Sequence, residues 1–313
     1  MSKRSSTSAA MIVAALALTS TACGSGSADS GGKESVKLGL AISTLNNPFF
    51  VEMKKGAESE AKAEGAQLNV QDAQDDASQQ ANQVQNFTSQ NVKSIIINPV
   101  DSDAAGPSVK AAGNADIPVV AADRGVNGAK VKTTVASDNV EGGKLAAKAL
   151  AEQLDGKGSI LVLRGISGTS ASRERGKGFE EGIKKYPGIK IAAKQPANFD
   201  RAKGLDVTTN LLQSNPDITG VFAENDEMAL GAIKALGSRA GKSVKVVGFD
   251  GTPDGLKAVE KGTMTVTVAQ QPDELGKMAV RNALRLAKGD SVDEVIKVPV
   301  KVVDEKNVDQ FSS

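Results

Sequence analysis

Carboxylates, guanidinium groups, side-chain amides and phenyl rings recur at a few fixed places in this chain, each directly after a short apolar run. Ser43-Thr44-Leu45-Asn46-Asn47-Pro48-Phe49-Phe50 follows the first such run, and Asn98-Pro99, Asp123-Arg124, Glu224-Asn225-Asp226 and Phe249-Asp250 follow later ones. Carboxylates accept hydrogen bonds, guanidinium donates them, and an Asn or Gln amide does both. Phenyl rings offer flat apolar faces. That mixture suits a polyhydroxylated ring whose hydroxyls both donate and accept and whose C–H faces are apolar, in other words a sugar. Four of the eight Phe residues, Phe49, Phe50, Phe199 and Phe249, lie in turns next to the predicted runs, in a chain with one Tyr and no Trp.

Composition closes most hydrolase, metalloenzyme and redox chemistry and leaves carboxylate, Lys or Tyr catalysis open. There is no histidine, which removes Ser-His-Asp, Cys-His and His-ligated metal arrangements together. The single cysteine, Cys23, rules out an internal disulfide or a cysteine cluster. Lys+Arg is 38 against 37 Asp+Glu, a net charge of +1, so nothing electrostatic points to nucleic acid. No metal and no cofactor are expected. Gly237-Ser238-Arg239-Ala240-Gly241-Lys242-Ser243 is one residue short of a phosphate loop and lies between a helix and the next strand, the reverse of the required order, so it reads as a turn. Asn86-Phe87-Thr88 matches a glycosylation acceptor but falls within a helical pattern.

The elements that must position the polar clusters alternate regularly. Apolar β-runs are expected at 38–42, 67–70, 94–97, 119–122 and 133–136, and a second series at 160–163, 189–193, 220–222, 244–247 and 264–268. Helical patterns fill the intervals at 50–64, 77–90, 141–153, 172–185, 201–212, 227–236 and 273–288. Near-continuous apolar strands separated by helices predict parallel sheets covered on both faces, and two series predict two α/β lobes. In such sheets ligands bind beyond the carboxyl ends of the strands, which is where the polar clusters fall.

The N-terminus reads as an address. Lys3 and Arg4 precede a ten-residue apolar run at 9–18, too short to span a bilayer but suited to a signal peptide. Small residues then lead to Cys23, in the manner of a bacterial lipobox with Ser20 where Leu is usual. Residues 1–23 are therefore read as signal and lipidation junction, and the Gly/Ser-rich residues 24–35 as a flexible tether.

Singly, each cluster also fits a scaffold role. Pro48 with two Phe can start a helix, Phe249-Asp250 can be a strand end with a cap, and Arg173-Glu174-Arg175 can be a solvated helix face. Together with 97–103 (INPVDSD), 136–140 (ASDNV), 168–176 (GTSASRERG), 199–201 (FDR), 225–232 (NDEMALGA) and 246–255 (VVGFDGTPDG) they carry a resemblance. From about Val36 to its end the chain resembles the bacterial ribose-binding branch of the type I periplasmic binding proteins, the solute-capturing components of ABC importers.

The resemblance implies two Rossmann-like lobes joined by three hinge strands: residues 36–137 with 271–299, and residues 138–270 with 300–313. It implies contacts to D-ribose from Ser43, Asn47, Phe49, Phe50, Asn98, Asp123 and Arg124 in the first lobe. Arg175, Phe199, Asn225, Phe249 and Asp250 would supply the second, with Gln270 near a hinge. Asp123 and Asp250 would accept from hydroxyls, Arg124 and Arg175 donate, and the four Phe rings sandwich the sugar. The partners would be the permease subunits and the membrane, the latter through Cys23, with the protein a monomer outside the cytoplasm and not an enzyme. Another monosaccharide or autoinducer-2 is the alternative ligand. A lactose-repressor-type regulator would need an N-terminal helix-turn-helix, for which the basic-apolar-Cys segment and the tether before the first strand leave no room. A glycosidase would need a carboxyl of raised pKa, whereas acids paired with Arg are expected to be lowered. With Asp near ~4 and Arg above ~12, binding is expected to be flat between roughly pH 5.5 and 8.

Overall fold

The computed structural model describes residues 35–311. The expected signal segment, Cys23 and all but the last residue of the expected tether lie outside the described residues. Two α/β lobes follow one another. The first contains β1 (Lys37–Ile42), α1 (Pro48–Ala63), β2 (Gln67–Asp72), α2 (Ala77–Ser89), β3 (Ser94–Ile97), α3 (Gly106–Asn114), β4 (Val119–Ala122) and β5 (Thr133–Ser137). The second contains α4 (Asn139–Gln153), β6 (Lys157–Arg164), α5 (Ser170–Ile183), β7 (Gly188–Pro196), α6 (Arg201–Ser214), β8 (Gly220–Ala223), α7 (Asp226–Leu236), β9 (Lys245–Asp250), α8 (Pro253–Glu260) and β10 (Val266–Ala269). The chain then returns through α9 (Pro272–Ala287) and β11 (Val295–Val298) before ending in β12 (Lys301–Asp304).

The strands form two six-stranded sheets, ordered β11-β5-β4-β3-β1-β2 and β12-β10-β9-β8-β6-β7. Every pairing is parallel except β10 with β12. Central strands such as β3 (SIII), β4 (VVAA) and β8 (GVFA) are buried along their whole length, as sheets covered by helices on both faces require. The chain passes between the sheets three times, after β5, after β10 and between β11 and β12.

All ten expected strands and all seven expected helices are present, with ends shifted by a few residues. The sequence reading missed α3, α8, β11 and β12. The helices α3 and α8 have nine and eight residues, too short for helical periodicity to stand out. The strands β11 and β12 are four-residue edge strands bearing Lys, and each pairs with a strand far away in sequence. Between β4 and β5 the crossover is a loop without a helix, and it begins with Asp123 and Arg124.

Candidate functional site

The first-lobe wall begins where β1 ends. Ser43 donates to Asn98 Oδ1 from its hydroxyl (2.6 Å) and from its backbone N–H (3.1 Å). Asn98 Nδ2 donates in turn to the Ala122 carbonyl (3.1 Å) and reaches Asp123 Oδ2 at 3.5 Å. Gln80 of α2 donates to the Asn98 carbonyl (2.8 Å) and accepts from Val100 N (2.9 Å). This brace ties the ends of β1, β3 and β4 together and fixes Asp123. Asp123 has φ 65°, a left-handed conformation that costs a non-glycine residue of order 1 kcal/mol or more. Arg124 donates to the Pro99 carbonyl (2.8 Å), and its Nε lies 3.6 Å from Asp123 Oδ2. Its guanidinium lies between Phe50 of the first lobe (5.0 Å) and Phe199 of the second (5.5 Å), a cation–π contact on each side. Asn47 caps α1 by accepting from Phe49 N (2.9 Å), with Pro48 at the first helical position, and this sets both Phe rings edge to face at 5.2 Å.

Arg175 of α5 organises the second wall. It donates to Asn139 Oδ1 (2.9 Å), to the Glu224 carbonyl (2.7 Å) and to Asp250 Oδ1 (3.3 Å), and it lies 4.0 Å from the centre of the Phe249 ring. Gln270 Nε2 also donates to Asp250 Oδ1 (2.7 Å). The two other acids near these strand ends are scaffold. Glu224 is held by Arg164 (2.6 Å), Gly165 N (2.7 Å) and Ser172 Oγ (2.5 Å). Asp226 accepts from Thr252 N (2.8 Å), Thr252 Oγ1 (3.1 Å) and Thr267 Oγ1 (2.7 Å). Asn225 caps α7 by accepting from Met228 N (2.9 Å) and donates to the Phe199 carbonyl (3.2 Å), which steadies a loop residue with φ 60°.

Between the walls lies a narrow polar cavity lined by Asn47, Phe49, Phe50, Asp123, Arg124, Ala171, Arg175, Phe199, Asn225 and Asp250. Nine of the thirteen residues expected at the site line this cavity. Ser43, Asn98 and Gln270 stand behind it as braces, and Phe249 is stacked under the Arg175 guanidinium rather than set in the wall. Ala171 adds a lining residue that the sequence reading did not pick, and Gln80 and Asn139 add supports. Their only signal in the sequence is a polar residue on an otherwise buried helix face.

Asp123, Arg124, Arg175 and Asp250 are each under 5% exposed. Asp123 Oδ1 and Arg124 Nε are buried without a hydrogen-bond partner. Buried polar atoms are paired as a rule, so Asp123 Oδ1 leaves an acceptor for whatever fills the cavity, while Arg124 Nε stays beside Asp123 Oδ2. No group of three or more acidic or Cys side chains able to hold a metal occurs among the described residues, and none of their helices is long and apolar enough to cross a membrane.

Burial pushes the Asp123 carboxyl up, against the pull of Arg124 and Arg175. Burial likewise raises Asp250 well above the usual range, with Arg175 opposing and Asp226 adding repulsion. Burial raises Asp226 to about 6. The expectations of lowered acids and of a pH-flat site are therefore corrected: desolvation outweighs the neighbouring cations. Ligand hydroxyls donating to Asp123 or Asp250 would favour the charged forms and so would lower pKa values that are raised without them. Affinity should be full above the raised ligand-free values of Asp123 and Asp250 and fall as pH drops through them, with protons released on binding in that range. Calorimetry in buffers of different ionisation enthalpy measures that release. No release, together with constant affinity from neutral pH to pH 5, would rule the linkage out.

Residues 38–291 match the model of a periplasmic binding protein domain. The ribose import binding protein of Escherichia coli (strain K12) is 45% identical over 294 residues, covering 94% of this chain and 97% of that one. Its counterpart in Bacillus subtilis (strain 168) is 45% identical over 278 residues, covering 89% of this chain and 90% of the other. An ABC transporter solute-binding protein from Bacillus halodurans, crystallised with myo-inositol, superposes with a TM-score of 0.84 at 35% identity, covering 90% of this chain and 99% of that one. Parallel strand ends from two lobes converging on one small polar cavity, and this likeness over nearly the whole length, lead to one conclusion: the chain belongs to the periplasmic binding protein family.

Proposed function

We propose that this protein captures D-ribose between its two lobes and delivers it to the permease of an ABC importer, without chemical change to the sugar. The observation that carries this reading is the set of charged groups around one small cavity: Asp123 and Arg124 from one lobe, Arg175 and Asp250 from the other. The acids accept from the sugar hydroxyls, the guanidinium groups donate, and Phe49, Phe50 and Phe199 cover the C–H faces. The 45% identity to ribose import binding proteins favours ribose over other small rings. The three chain passages between the sheets act as the hinge, and closure about them buries the sugar. Cys23 is the acylation site that holds the protein, as a monomer, at the outer face of the membrane.

Protein lacking residues 1–23 should bind D-ribose with a dissociation constant of about 1 μM or tighter, some 8 kcal/mol, by calorimetry. A panel of other pentoses, hexoses and autoinducer-2 should bind more weakly. No heat with ribose beside tight binding of another sugar would sink the substrate assignment. At full length the protein should remain with membranes, and Cys23→Ala should release it; retention of that variant would remove the anchor from the proposal.

A further inference from the structure

Away from the cavity, the two lobes are joined directly at the rim of the cleft by groups that do not line it. The Ser102 N–H, in the loop between β3 and α3, donates to the Gly168 carbonyl at 3.0 Å. The Ser170 N–H, at the start of α5, donates back to Ser102 Oγ at 3.1 Å. The Gly125 N–H, in the loop after β4, donates to Ser170 Oγ at 2.8 Å. Ser102 is fully buried by this meeting of loops. The fit leaves no room: a Cβ on Gly168 would overlap a carboxylate oxygen of Asp101. That Asp101 is not free to swing away, because its other oxygen accepts from Asp103 N (2.8 Å) and Ala104 N (2.9 Å) and so shapes the Ser102 loop.

We propose that Ser102 and Ser170 form an interlobe latch that sets how tightly the sugar is held without touching it. The inference rests on the capture reading above. If the lobes part to admit ligand, these three hydrogen bonds break together, whereas every bond within each lobe survives. Their net strength therefore favours the closed form alone. A sugar that requires closure draws on that bias in its apparent affinity. Both serines lie outside the cavity lining, so the bias is the same for every ligand that closes the lobes.

A neutral hydrogen bond has a net strength of about 0.5–1.5 kcal/mol, so Ser102→Ala and Ser170→Ala should each weaken D-ribose binding about 2- to 10-fold. The loss should appear in the dissociation rate, as expected when a contact made after encounter is removed. It should be the same factor for any second sugar that the wild type binds, and the melting temperature of the ligand-free protein should stay within about a degree. Gly168→Val, which blocks the approach sterically, should weaken binding more than either serine variant and keep the protein extended in solution scattering at ribose concentrations that compact the wild type. Wild-type binding with all three variants within twofold of it overturns the latch and leaves the capture reading standing. A loss confined to one sugar also overturns it, since that marks a ligand contact. A wild type that binds no sugar overturns the capture reading, and the latch with it.

Discussion

Asp123→Ala should weaken capture of D-ribose by at least ~30-fold, about 2 kcal/mol, and Arg175→Ala by at least as much. A hydrogen bond to a charged group contributes about 1.5–3 kcal/mol, and a buried group stripped of its partner costs more. Asp123 presents one carboxylate oxygen with no protein partner, so its contribution falls on the ligand rather than on the scaffold. Arg175 has a second role. Removing it leaves Asp250 with Gln270 as its remaining side-chain donor and takes the donor from Asn139 Oδ1. The Arg175 variant should therefore also raise the Asp250 carboxyl further, and its binding should decline at a higher pH than that of the wild type. Arg175→Lys should recover little, because an ammonium cannot reproduce a fork shared among Asn139, the Glu224 carbonyl and Asp250. Wild type should become more compact on adding ribose, and both alanine variants should stay extended at the same concentration. Wild-type binding without compaction would place the sugar in one preformed lobe and refute the clamp.

The largest effect on stability should come from glycines at the crossing of α4 and α5. A Cβ on Gly178 would overlap the Val140 carbonyl oxygen, and one on Gly143 would overlap the Arg175 carbonyl oxygen. Both obstacles are backbone, so no rotamer change relieves them and the helices must move apart. Gly178→Val should cost about 3 kcal/mol or more, at the upper end for overpacked interiors. For a protein of this size that is a fall of about 6–12 °C in melting temperature. Because Ala171 and Arg175 ride on α5, ribose affinity should fall with it. Gly113→Ala is the internal control. That glycine lies in α3, exposed, with nothing within 4 Å of where a Cβ would be. There the substitution should stabilise by about 0.5–1 kcal/mol, since alanine removes the entropic cost of a helical glycine. Equal effects at 178 and 113 would show that propensity, and not close packing, governs both positions.

Some of this was decided by residue order alone. The apolar runs of β1, β3, β4, β8 and β9 are continuous because both faces of each strand are buried, and that pattern is local, so the two-lobe α/β fold was legible. The polar clusters at strand ends were legible for the same reason: parallel strands bring their carboxyl ends to one side, and chemistry collects there. The absence of histidine decided which chemistries were closed.

Residue order could not say which acid of Glu224, Asp226 and Asp250 faces the cavity, because that depends on partners 20 to 60 residues away, such as Thr267, Ser172 and Gly165. It could not show that Phe249 lies under Arg175, nor the left-handed backbone of Asp123, Phe199 and Asp250, which non-glycine residues seldom adopt on their own. Nor could it give the direction of the carboxyl pKa values. Sequence places Asp beside Arg in the chain and suggests a lowered pKa, but burial from all sides by both lobes raises it, and desolvation is a property of the assembled surroundings, not of the adjacent residue.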